Sequence, residues 1–286
     1  MTKLPAWFRQ DVPSKEVLAK LEHLRFWQVH TVCQEAKCPN LSYCFKHAKL
    51  TFLILGDTCT RNCGFCAVKK SRGNLKQDLD EPQRVAEAVS GLRLKYAVIT
   101  SVTRDDLEDG GAGVFAQTIK IIHGLSLGIK VEILIPDFGG SASALEIVLE
   151  AHPDLVAHNM EIVKRLYPQL RPQADYARSL ALLRKIKELN PDIATKSSLM
   201  LGLGETKEEI ARAMEDLRLA DCDILCLGQY LAPSTAHYPV KEFIGLETFE
   251  QYRSIGLSLG FKMVLSGPKV RSSYQAEEAF KEAVYA

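Results

Sequence analysis

Cys59, Cys63 and Cys66 stand in the segment DTCTRNCGFC, separated by three and then two residues. A loop that contains glycine can fold back on itself at this spacing and aim three thiolates at one small volume. Thiolates are soft ligands that suit zinc or iron-sulfur clusters. Structural zinc sites close with four ligands, commonly arranged as two pairs, and the sequence offers no second pair of that kind. A four-iron cluster held by three cysteines instead leaves one iron open to an outside chelate. Upstream, Cys33, Cys38 and Cys44 form a second set in HTVCQEAKCPNLSYC, separated by four and then five residues. Here too, three thiolates leave one iron of a cluster without a cysteine. Cys222 and Cys226 stand apart at an apolar run and read as small buried hydrophobes, the usual fate of free cysteine in a core.

The elements that must position these cysteines follow from periodicity. From residue 50 onward, short apolar runs rich in β-branched residues alternate with longer amphipathic stretches, the pattern of repeated βα units around a parallel sheet. Strands are expected at 50–56, 95–101, 129–135, 154–158, 194–200 and 222–228, with 261–265 as a further strand or a closing segment. Helices are expected from Pro82 to Leu92 and from Glu205 to Ala220, the second opening with Thr206 and Glu209 at capping-box spacing. A polar, Gly-rich or Cys-rich piece follows each of the first six strands: DTCTRNCGFC, SVTRDDLEDGG, PDFGG, HNME, GLGE and GQYLAP. GQYLAP alone would pass as an ordinary polar loop. In parallel βα barrels the active site is built from the loops after the strands, so six such loops are expected to share one mouth.

Composition narrows the class. With 286 residues, 47% of them hydrophobic, the chain can bury a substantial core. Lys and Arg number 36 against 35 Asp and Glu, and no basic stripe stands out, which argues against nucleic acid as a partner. The apolar runs are strand-sized, well short of the roughly 18 residues of a membrane span. The opening MTKLPAWFRQD lacks the apolar core of a secretory signal. Packing six of eight cysteines between residues 33 and 66 points to metal rather than disulfides. A cytoplasmic protein with no membrane association is expected.

The spacing of Cys59, Cys63 and Cys66, with Phe65 before the last cysteine, resembles the motif of the radical S-adenosylmethionine (SAM) enzymes. The resemblance implies that these cysteines bind a 4Fe-4S cluster whose open iron is chelated by SAM, with Phe65 near the adenine. It also implies reductive SAM cleavage to a radical that abstracts hydrogen from an unactivated carbon. The expected fold is an α/β, partial (β/α)6 TIM-like barrel of the radical SAM type with N-terminal and C-terminal extensions. Its parts are residues 1–48 carrying the second cysteine set, 49–265 as barrel core, and 266–286 as C-terminal segment. His158-Asn159-Met160-Glu161 resembles a segment whose Asn159 and Glu161 would hold the ribose hydroxyls; an ordinary strand-end hydrogen-bond pair is the alternative. Residues 198–205 resemble the adenine-contact motif, with Met200 at its apolar position and Ser198 where glycine is typical. Arg178, in DYARSL, matches a recurrent arginine or is a solvent-facing helix residue.

From about Trp7 to Glu278, the two cysteine sets together with SVTRDDLEDGGA, VEILIPDF, LMLGLGE, GQYLAPS and GPKVRSSYQAEE closely resemble the lipoyl synthase family. That resemblance implies insertion of two sulfur atoms at carbons 6 and 8 of a protein-bound octanoyl-lysine. The sulfur would come from a second, auxiliary 4Fe-4S cluster on Cys33, Cys38 and Cys44. Ser273 of RSSY would complete that cluster through its oxygen. Octanoylated lipoyl carrier proteins or domains, a low-potential electron donor and an iron-sulfur cluster carrier are the implied partners. Phe45 stands where tryptophan is usual, Met160 and Ile162 vary the HNxET pattern, and Cys226 replaces a usual threonine. A methylthiotransferase-like radical SAM enzyme is the nearest alternative, disfavoured by RSSY and by the missing RNA-binding module. A non-catalytic iron-sulfur electron carrier is the other, but such proteins typically give each cluster four cysteines.

Overall fold

The computed structural model describes residues 5–8, 12–71 and 75–285. The chain divides into two compact units, one of Gln10–Asn62 and Ala67–Val156, the other of Met1–Arg9, Cys63–Cys66 and Ala157–Ala286.

In the first unit, α1 (Lys15–Phe26) starts at Ser14, whose hydroxyl accepts the Val17 N–H and so satisfies one of the orphan donors of the first turn. β1 (His30–Thr31) runs antiparallel to β2 (Thr51–Ile54). Between them lie two short helices, α2 (Val32–Glu35), capped by Thr31, and α3 (Leu41–Lys46). They hold Cys33 and Cys44, and the sequence reading did not foresee them. After β2, a two-residue parallel ladder joins β3 (Thr58–Cys59) to β4 (Lys69–Lys70). There follow α4 (Glu81–Gly91), β5 (Tyr96–Ser101), α5 (Ala112–Gly124), β6 (Lys130–Leu134) and α6 (Ala142–Leu149). β2, β5 and β6 are parallel, with Thr51 opposite Val98 and Val98 opposite Glu132. Their β-branched residues, Ile54, Ile99 and Ile133 among them, are fully buried. Buried Glu132 is partnered by the Tyr96 hydroxyl at 2.8 Å.

β7 (Leu155–Ala157) spans the point where the chain passes from one unit to the other. The second unit continues with α7 (Tyr167–Leu170), α8 (Tyr176–Leu189), β8 (Ala194–Leu201), α9 (Lys207–Leu219), β9 (Ile224–Gln229), α10 (Leu246–Ser258), β10 (Met263–Gly267) and α11 (Ala276–Tyr285). β8, β9 and β10 are parallel, with Lys196 opposite Ile224 and Ile224 opposite Met263. The expected capping box is formed: the Thr206 hydroxyl accepts the Glu209 N–H, and the Glu209 carboxylate accepts the Thr206 N–H. Every expected strand is present, and the 261–265 run is β10, displaced by two residues. Cys222 and Cys226 are fully buried, as small core residues should be. The class is α/β, with mostly parallel strands alternating with helices.

Candidate functional site

In the first unit, Cys33 sits in α2 and is 6% exposed. Cys38 lies one turn on, its N–H donating to the Cys33 carbonyl at 3.0 Å, and Cys44 is in α3. Burial, then the neighbouring Cys38 and Cys44, push the Cys33 thiol up to about 12, with the Thr51 backbone acting the other way. A metal cluster that bound these sulfurs would favour their deprotonated form, against the effect of burial. Among the described residues no three His, Cys, Asp or Glu side chains are closed up around a single-ion site. A four-iron cluster places each thiolate on a different iron and so needs them more widely spread. The donor set fits such a cluster.

Cys59 ends β3. Its sulfur accepts the N–H groups of Arg61 at 3.4 Å and Thr103 at 3.3 Å. Arg61, two residues on, is buried and forked onto both Asp105 oxygens at 2.8 Å, and it reaches Oδ1 of the fully buried Asp137 at 2.5 Å. The cysteine loop is thus pinned to the loops after β5 and β6. Sequence reasoning singled out those loops but not this ion-pair cluster, whose members are far apart in the chain.

Cys63–Cys66 belongs to the second unit. Gly64 donates to the Leu170 carbonyl at 2.8 Å and accepts from the Tyr238 N–H at 3.0 Å, while Cys66 N–H turns back onto the Cys63 carbonyl. Phe65 is half-buried. Burial and then Cys66 push the Tyr230 hydroxyl up to about 12.

After β7 the structure brings together three of the residues expected to contact SAM. Asn159 Nδ2 donates to Glu161 Oε1 at 2.9 Å. Glu161 has φ of 66°, a left-handed conformation that a non-glycine residue adopts at a cost of about 1 kcal/mol or more. It is held there by its N–H on the Ser198 carbonyl and its carbonyl on the Met200 N–H, at 2.9 and 2.8 Å. Burial raises the Glu161 carboxyl above its ordinary range, against the pull of Arg171 and Asn159. Arg171 is a residue the sequence reading missed. Burial works against its charge, but Tyr167, Glu161 and Cys63 more than offset this. Arg178 lies at the start of α8: its N–H is capped by Asp175 at 2.7 Å and its guanidinium reaches the Gln173 carbonyl at 3.3 Å.

Ser273 lies in a turn after β10, half-buried, with Tyr274 N–H closing onto the Arg271 carbonyl at 2.9 Å. The Cys226 thiol donates to the Ser272 carbonyl at 3.8 Å. A Cβ on Gly228, in β9, would stand 2.1 Å from the Val270 carbonyl oxygen, so the turn lies flush against the strand because residue 228 has no side chain.

The parallel α/β fold and the two cysteine sets define the class. Residues 53–217 match the Radical SAM superfamily, and the chain belongs to it. Within that class it is similar to curated lipoyl synthases: that of Caldicellulosiruptor bescii is 53% identical over 276 residues, covering 96% of this chain and 94% of that one. The lipoyl synthase of Thermus thermophilus is 50% identical over 280 residues, covering 98% and 87%. The chain is a member of the lipoyl synthase family. Among solved structures, methylornithine synthase superposes with a TM-score of 0.53 at 15% identity, covering 77% of this chain and 72% of that one. Streptococcus suis SuiB bound to S-adenosylmethionine does so at 0.56 and 13%, covering 79% and 53%. At such identities the likeness is one of fold, the barrel type of the radical SAM enzymes. Among the described residues no helix is long and apolar enough to cross a membrane.

Proposed function

We propose that this chain is a working lipoyl synthase, inserting two sulfur atoms at carbons 6 and 8 of an octanoyl-lysine carried on a lipoyl protein or domain. One observation carries the reading: two three-cysteine sets on separate loop systems, within a chain about half identical to lipoyl synthases along nearly its whole length. When bound, SAM and the cluster on Cys59, Cys63 and Cys66 supply hydrogen abstraction from unactivated carbon, and the cluster on Cys33, Cys38 and Cys44 supplies the sulfur.

The chain's own residues bind, orient and shield. Asn159 and Glu161 offer an amide and a carboxylate to a ribose diol, Phe65 and Met200 flank the adenine, and Arg178 supports the α8 end of that site. Ser273 gives its oxygen to the fourth auxiliary iron. Residues 1–48 serve the auxiliary cluster, 49–265 form the barrel and 266–286 supply Ser273. A low-potential electron donor, a cluster carrier that restores the spent cluster and a cytoplasmic setting complete the proposal.

The test is anaerobic reconstitution, iron and sulfide counting, and turnover on an octanoylated carrier peptide. Two four-iron clusters and, with no added sulfur source, at most one lipoyl group per chain are expected. SAM cleavage without lipoyl product would overturn the reading.

A further inference from the structure

Asn159 spends both ends of its amide on protein partners. Its Nδ2 donates to Glu161, and its Oδ1 accepts the Ser272 hydroxyl at 2.9 Å, from 113 residues further along the chain. Asn159 is 7% exposed, so this bond is made away from bulk water, where a lost partner is costly. The turn that delivers Ser272 is seated on β9 by main-chain contacts, the Cys226 thiol on the Ser272 carbonyl and the Val270 carbonyl over Gly228. The Ser272 side chain is thus left to reach Asn159, and the next residue is Ser273.

We propose that Ser272 is a positioning residue that ties the SAM-facing amide of Asn159 to the turn presenting Ser273, so that SAM binding and the auxiliary cluster support each other. The proposal rests on the assignments of Asn159 and Ser273 made above. Were Ser273 to hold the fourth auxiliary iron, its turn would be fixed, and the Ser272 hydroxyl would be kept on Asn159 Oδ1. The amide is then aimed before the nucleoside arrives, and preorganisation of this kind tightens binding by removing an ordering cost. Linkage makes the effect reciprocal: seated SAM steadies Ser273 on its iron.

SAM affinity, measured by equilibrium titration of the reconstituted full chain, tests this without reading turnover. Four proteins make the cycle: parent, Ser272→Ala, a variant with Cys33, Cys38 and Cys44 all replaced by Ala, and the combination. Ser272→Ala is expected to weaken SAM about fivefold, as one hydrogen bond would, and Ser272→Thr, which keeps the hydroxyl, to restore it. Removing the auxiliary cysteines should weaken SAM about fivefold in the parent and have no further effect in Ser272→Ala. Equal losses in both backgrounds, or no loss in either, would overturn the coupling. If Asn159→Ala left SAM affinity unchanged, the assignment of Asn159 itself would fall, a separate failure from an additive cycle in which Asn159 still matters.

Discussion

Arg171 places one guanidinium nitrogen 3.1 Å from the carbonyl of Asn159 and 3.3 Å from that of Met160, while the Tyr167 hydroxyl donates to the same Met160 carbonyl at 2.8 Å. The main chain that aims Asn159 and Glu161 is therefore clamped from one side by a cation. Arg171→Ala should weaken SAM binding about tenfold or more, since it removes both the clamp and a charge that favours ionised Glu161. Arg171→Lys should recover part of this, because an ammonium keeps the charge but lacks the planar fork. Calorimetric titration of SAM checks the order parent, Lys, Ala; equal affinities would refute it.

Glu161 predicts a pH dependence. Burial raises its folded value above that of the unfolded chain, so the stability it lends is complete below the ordinary carboxylate range and is lost as pH rises through the raised value. A ribose diol donates to the ionised form, so SAM affinity should climb over that same window. Glu161→Gln should flatten the climb and make the protein more stable on its alkaline side. SAM titrations and melting curves across a pH series provide the measurement, and a flat profile in the parent would contradict the assignment.

The Arg61 cluster makes a stability prediction. Asp137 is fully buried against Arg61, whereas the Asp105 side chain is 42% exposed. Asp137→Ala removes the buried partner and leaves the Arg61 guanidinium with only the exposed Asp105, and should cost about 3 kcal/mol, while Asp105→Ala, an exposed partner, should cost about 1 kcal/mol or less. Denaturant midpoints compare them. Equal costs would mean that the pinning of the cysteine loop lies elsewhere.

Ser273→Ala should keep SAM cleavage but lose most sulfur insertion. As a ligand to the fourth auxiliary iron, the proposed role of Ser273, a hydroxyl would be harder and weaker than a thiolate and would leave that iron the easiest to release. Ser273→Cys should therefore hold the cluster well and donate sulfur poorly. Parallel assay of 5′-deoxyadenosine and lipoyl product separates the cases, and full lipoyl yield from Ser273→Ala would sink the ligand assignment.

Much of the fold was legible because its strands are short β-branched runs and its helices carry caps: 194–200 reads as a buried strand, and the capping box of Thr206 and Glu209 marks α9, expected from Glu205 and found from Lys207. The helices α2 and α3 were not legible, since four and six residues are too few to show a 3.6-residue period. The cysteines were visible because metal chemistry restricts both residue type and spacing. Arg171, Asp137 and the Ser272–Asn159 bond were not. Each acts on a main-chain carbonyl, a distant guanidinium or an amide brought near only by folding, and such pairings leave no periodic trace. Arg178 was visible by its motif, but its motif says nothing of the Asp175 cap that places its main chain.

The flush seating of Val270 on Gly228 bears on inheritance as well as on chemistry. A premature stop codon between positions 267 and 270 would leave both cysteine triads intact in the product. The shortened polypeptide would still lose the turn that covers Gly228, steadies Asn159 and carries Ser273. Such alleles should behave as nulls even where the truncated protein accumulates.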